Sequence, residues 1–125
     1  MRTLIKGEVA DFIPSFNAYI NKGSLVVSED GDFAITVDTG FSGGIAIPLE
    51  MLDEMDVEFF GYDTFTLATG DIVELPMFVG RVITGGCEIE TWFIPGDSLL
   101  GMEFLSTVGS LLCFDFEDEL VELRT

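Results

Sequence analysis

Histidine is absent from this 125-residue chain, and lysine and arginine together number five against 23 acidic residues. Without imidazole, Ser-His-Asp and Cys-His catalytic arrangements are excluded, and most zinc sites with them. The net charge is −18, and only Arg81 interrupts the run without cations between Lys22 and Arg124. Nucleic-acid binding needs basic side chains to displace counterions, so that class of partner is excluded, and anionic membrane surfaces with it. Two cysteines, Cys87 and Cys113, stand far apart in no CxxC spacing and read as buried free thiols. The longest apolar runs, "IAIPL" and "GSLLCF", fall far short of the roughly 18 residues that cross a bilayer. The opening "MRTLIKGEVADF" lacks the apolar stretch of a signal peptide, so a cytoplasmic protein is expected.

What the chain does have is apolar mass. Apolar residues make up 48% of it, including twelve Phe, against 22% charged, a balance that folds rather than stays disordered. The length suits a single domain over residues 1–125. Short strand-like segments recur: 5–9, 15–20, 43–48, 87–95, 110–116 and 119–123. Residues 24–38 read as a hairpin turning at Asp30-Gly31, and 57–83 as two or three strands with a turn at Thr69-Gly70-Asp71. Residues 84–86, "TGG", form a further turn. Two short helices are expected, one over 48–55 with Pro48 at its first position, the other over 98–108 entered from a Ser98 cap. The pattern predicts an all-β fold, a small closed or partly open barrel with one or two short helices.

Two stretches stand out chemically. In "AITVDTG" the apolar strand 34–37 runs into Asp38, Thr39 and Gly40. A carboxylate at a strand end accepts hydrogen bonds from the following backbone N–H groups, and Gly40 lets that backbone come close. An ordinary strand-end turn gives the same pattern, so the tripeptide alone leaves the role of Asp38 open. In "DSLLGMEFL" two large apolar residues precede Gly101, which suits close passage of another backbone or plain core packing.

Taken together and in order, with Ser42 two residues after the DTG and the 69–71 hairpin between, these stretches resemble the retropepsin-like aspartic proteases, particularly small single-domain prokaryotic members. The resemblance runs through roughly residues 33 to 116 and implies a barrel of that type. It implies that Asp38 is the catalytic aspartate and that Thr39 joins a grip between two active-site loops. Gly40 would let the loop turn toward substrate, and Ser42 occupies a polar position that often bonds the carboxylate. Thr69, Gly70 and Asp71 would tip a flap, and Leu99, Leu100 and Gly101 would pack behind the active-site loop. Trp92, Phe93 and Ile94 fall on a strand that lines the substrate pocket in that family. Phe41 replaces a small residue usual in viral members, the flap tip carries one Gly, and the acidic C-terminal end is longer than a terminal dimer strand requires.

The chain has one DTG. "YDTF" at 62–65 has Phe65 in place of the Gly, and "GDSL" at 96–99 has no Gly of its own. The chemistry needs two carboxylates in near contact, so the resemblance implies a homodimer with Asp38 from each copy on a two-fold axis. The expected function is an aspartic endopeptidase acting on peptide or protein substrates, with no metal and no cofactor. A catalytically silent dimerisation or peptide-binding module is the alternative, and an acidic barrel with a coincidental DTG turn is a third reading. Phe59 and Phe60, adjacent on a strand, should face opposite sides, one of them into the core.

Overall fold

The computed structural model describes residues 2–125, and its framework is almost entirely β. The chain begins with β1 (Thr3–Ala10), β2 (Ile13–Asn21), β3 (Ser24–Ser28), β4 (Phe33–Val37) and β5 (Ile45–Ile47). A single turn of helix, α1 (Leu49–Leu52), leads to β6 (Glu58–Thr66), β7 (Ile72–Thr84) and β8 (Cys87–Pro95). The two-residue strand β9 (Leu99–Leu100), helix α2 (Met102–Val108), β10 (Leu111–Asp115) and β11 (Leu120–Arg124) complete it.

Two-residue turns join β1 to β2, β2 to β3 and β7 to β8, and both turn residues have positive φ in each: Asp11-Phe12, Lys22-Gly23 and Gly85-Gly86. That geometry matches the right-handed twist of the flanking strands. The ring runs β2, β3, β7, β8, β5, β9, β4 and closes where β4 pairs with β2. Two pieces lie outside it. The strand β6 pairs only with β7, and β1, β11 and β10 extend the sheet from β2, with β10 at its edge.

Inside the ring, one cluster includes Phe16, Leu25, Ile35, Ile45, Phe93, Leu100 and Phe104, all fully buried. Each such side chain contributes about 1.5–3 kcal/mol by leaving water. Leu52 and Met55 point into it from α1 and the turn after it, whereas Leu49 stays exposed and Pro48 is the N-cap, not the first helical residue. Among the described residues no helix is long and apolar enough to cross a membrane.

Several sequence expectations are corrected. Residues 24–38 are not a hairpin: β3 and β4 pair with β2 on its two edges and not with each other. The connection crosses over β2, where Asp32 N–H donates to the Ala18 carbonyl at 2.8 Å. A Cβ on Gly31 would sit 2.5 Å from Ala18 backbone atoms, so this glycine serves a backbone crossing and not a tight turn. Ser98 does not cap α2. Its carbonyl accepts from Thr36 N–H, the next two residues form β9, and Gly101 is the N-cap. Pairing of Leu99 and Leu100 with both β4 and β5 outweighs their helical propensity. Phe59 and Phe60 are both exposed, because β6 lies off the barrel and has no core face. Cys87, expected buried, is exposed beside the β7–β8 turn, and Cys113 is half-buried.

Candidate active site

Asp38 follows β4 at the rim of the ring, one residue beyond the buried Val37. Its backbone N–H donates to the Leu100 carbonyl at 3.0 Å, which continues the parallel β4–β9 ladder by one bond. Its carbonyl accepts from Phe41 N–H at 3.2 Å, closing a turn over Thr39 and Gly40. Within that turn the Asp38 carboxylate accepts the Gly40 N–H at 2.9 Å. The backbone of a core strand thus fixes the aspartate's Cα while its half-buried side chain reaches the rim. Thr39, Gly40 and Ser42 are exposed around it. The Ser42 hydroxyl makes no bond to the carboxylate within the chain; the Gly40 N–H occupies one of its oxygens.

Behind the loop lie Leu99, Leu100 and Gly101. Leu100 is fully buried, and Leu99 and Leu100 bridge β4 on one side and β5 on the other. Gly101 N–H donates to the Gly44 carbonyl at 2.7 Å, Met102 N–H to Phe41 at 2.8 Å and Glu103 N–H to Gly43 at 3.1 Å. Three donors at the start of α2, left without intrahelical partners, are therefore used to hold the loop that follows Asp38. The sequence brings together two segments about sixty residues apart because this short stretch supplies both the strand and the helix start.

The hairpin β6–β7 projects from the barrel with Thr69, Gly70 and Asp71 at its tip. Leu67 N–H donates to the Asp71 carbonyl at 2.8 Å, and the Thr69 hydroxyl to the Asp71 carboxylate at 3.0 Å, so the tip is internally tied. A register shift between Phe59 and Gly61 bends β6 near its base. Among the described residues no strand pairs with the other edge of β6.

At the base of this hairpin lies a groove of about 750 Å³, lined by residues that include Phe60, Val79, Arg81, Glu90, Trp92 and Glu103. Phe60 and Trp92 meet edge to face, with centroids 5.1 Å apart. Phe93 points into the core cluster, and Ile94, next to it on β8, is buried outside that cluster, so of the three residues singled out on β8 only Trp92 lines this groove. Asp38 is not among the groove's lining residues. The link between the two is the Gly43-Gly44 doublet: a Cβ on Gly44 would meet Thr91 Oγ1 at 2.9 Å, and Gly43 accepts from Glu103. Sequence reasoning weighed Phe60 only with Phe59, as a pair facing opposite sides of a strand, and did not single out the Gly43-Gly44 pair. The doublet directly after "DTGFS" was the available signal; nothing local pairs Phe60 with Trp92.

The elements thus define a closed, mostly-β barrel with one aspartate presented on a hydrogen-bonded turn at its rim. Comparison of the chain with protein families, with curated proteins and with solved structures finds no match.

Proposed function

We propose that the chain is an aspartic endopeptidase of the retropepsin-like type, active as a homodimer. The observation that carries this reading is the Asp38 turn, pinned by Leu100 and Gly40 and backed by Leu99–Gly101, with its carboxylate at an open rim. One carboxylate there is half of a catalytic pair. When two copies bring their Asp38 side chains together, like-charge repulsion leaves the pair sharing one proton. The ionised carboxylate takes a proton from water as that water attacks the scissile carbonyl carbon. The protonated one donates to the carbonyl oxygen. Collapse of the resulting tetrahedral diol expels the amine, which takes up a proton from the pair. The two ionisations belong to the pair as a unit.

An extended peptide fits beside the β6–β7 hairpin, where strand-like pairing supplies affinity and side-chain pockets supply selectivity. The groove at the hairpin's base sets the Phe60 and Trp92 rings among charged side chains that include Arg81, Glu90 and Glu103. The test is cleavage of an unfolded protein substrate at mildly acidic pH, with statine-type inhibition and an Asp38→Asn control. Cleavage lost in the variant and in the inhibited protein supports the reading. A chain that holds peptide without cutting it, equally well as Asp38→Asn, is instead a peptide-binding module, which the groove's separation from Asp38 favours.

A further inference from the structure

The groove at the base of the β6–β7 hairpin holds the chain's single tryptophan, Trp92, and Asp38 is not among its lining residues. We propose that this groove binds a basic side chain of a peptide, arginine in preference to lysine, at a distance from the bond that is cut. Calling that peptide a substrate rests on the reading of Asp38 as half a peptidase site; the capture of the cation does not.

The aromatic pair supplies one half of the recognition. Phe60 and Trp92 meet edge to face, with 5.1 Å between centroids and 83° between planes. In that arrangement the pair itself takes up only one ring face. Phe60 is 63% exposed, so its ring is available to a ligand. The face of an aromatic ring attracts a cation through its quadrupole.

Carboxylates supply the other half. Glu58, Glu90 and Glu103 line the groove from three separate elements, β6, β8 and the first turn of α2. None of the three has an ion-pair partner among the described residues. Asp56 also lines the groove, but its carboxylate lies against Gly23 and stands at the margin. The one cation in the lining, Arg81, is already engaged: its guanidinium bonds Glu88 at 3.2 Å, and Glu88 lies outside the groove. The acidic side chains are spread around the opening. Among the described residues no three metal-binding side chains are gathered to hold an ion. A small divalent ion wants its oxygens gathered within about 2.6 Å. Spread carboxylates beside an aromatic wall suit a long, flat organic cation instead. Guanidinium stacks on the ring and forks its N–H donors to carboxylates, whereas the lysine ammonium is a compact point charge.

Thr91 is an independent sign of a polar ligand. It is 8% exposed and lines the same groove. Its hydroxyl has no hydrogen-bond partner among the described residues, yet none of their fully enclosed side-chain polar atoms is left without one, so this hydroxyl opens on the groove. Gly44 leaves it free, for a Cβ there would stand 2.9 Å from Thr91 Oγ1. A shielded hydroxyl without a partner is satisfied when a donor enters. At about 750 Å³ the groove has the size of a small-ligand site, ample for one arginine side chain.

Glu103 links this site to the loop after Asp38, since its backbone N–H donates to the Gly43 carbonyl at 3.1 Å. The basic residue is thus held behind that loop and not at the reacting carbonyl. Binding of this kind, equal in ground and transition states, lowers KM and leaves kcat alone.

As the only tryptophan, Trp92 reports occupancy through its own fluorescence. The probes are capped Ala-Ala-Arg-Ala-Ala and the same peptide with lysine or with neutral citrulline in place of arginine. They are titrated into Asp38→Asn, which cannot cut them, at about 0.15 M salt. The arginine peptide should bind at least about tenfold more tightly than the citrulline peptide, with lysine between. Phe60→Ala and Glu90→Gln should each weaken the arginine peptide at least about threefold. Glu117→Gln, which removes the same charge outside the groove, should change it by less than about 1.5-fold. Circular dichroism checks that each variant is folded. Equal binding of arginine and citrulline peptides, or an effect of Glu117→Gln as large as that of Glu90→Gln, overturns the proposal. An arginine-selective Trp92 response in a wild-type chain that cuts nothing leaves the pocket standing and removes the peptidase reading. Cleavage with no arginine preference in KM and no Trp92 response does the reverse.

Discussion

Gly101 passes against Gly43 so closely that a Cβ at position 101 would fall inside the van der Waals surface of the Gly43 carbonyl, 2.8 Å from its carbon, and 2.9 Å from Phe41 Cδ2. The contact joins the start of α2 to the loop after Asp38, and backbone on one side and an aromatic ring on the other leave little room to yield. Gly101→Ala should therefore lower stability by about 3 kcal/mol, the upper part of the usual overpacking range. Urea denaturation checks this. A loss below about 0.5 kcal/mol would mean that the two segments are not held as tightly as their hydrogen bonds indicate.

Asp38→Asn separates structure from chemistry. The amide oxygen keeps an acceptor for Gly40 N–H, and the side chain sits half-buried at the rim, so stability should change by less than about 1 kcal/mol. Peptide cleavage should fall by at least about a hundredfold, since a neutral amide cannot accept the proton from water. An Asp38→Asn variant that is folded and still cuts would assign the activity to another group.

Much of this architecture was legible in the chain because its signals are local. The "TGG" turn and the clean alternation of "CEIETWFIP" mark the β7–β8 hairpin, and β8 spans the same nine residues, Cys87–Pro95. Where sequence reasoning failed, the deciding interaction was distant. Asp30-Gly31 looks like a turn, yet Gly31 is there because β2 passes beneath it. Leu99 and Leu100 have helix-forming side chains, yet two strands from elsewhere claim their backbone. The exposure of Phe59 and Phe60 has the same origin, since alternation assumes a sheet with one buried face and β6 stands outside the barrel. In the candidate site, the Asp38 turn was readable from its tripeptide and its preceding apolar strand. The Phe60–Trp92 groove was not, because those two residues meet only through the β6–β7–β8 pairing.

Phe60 gives a direct test of that groove. It is 63% exposed and contacts Trp92 at 5.1 Å, so Phe60→Ala removes groove wall without opening the core. Stability should move by less than about 0.5 kcal/mol. If substrate side chains seat there, kcat/KM should drop roughly threefold to tenfold for arginine-containing peptides, the scale of one lost aromatic contact. Peptides with small side chains should be cut almost as before. An equal loss for all substrates would place the effect on the hairpin's bending and not on a pocket.

In the proposed homodimer, acidity would set the condition under which two copies meet. Each chain carries −18 at pH 7, so a pair carries twice that, −36. Repulsion scales with the product of the two charges, and halving each would cut it to about a quarter. Carboxylates lose charge as pH falls, so association should strengthen from pH 8 to pH 5 in low salt. Added salt should narrow the difference, because at about 0.15 M the screening length is about 8 Å and most of these charges no longer act across an interface. Sedimentation at both pH values, at low salt and at about 0.15 M or above, reads all four conditions. Tighter association at pH 8 in low salt, or the same affinity throughout, would show that net charge does not govern the assembly.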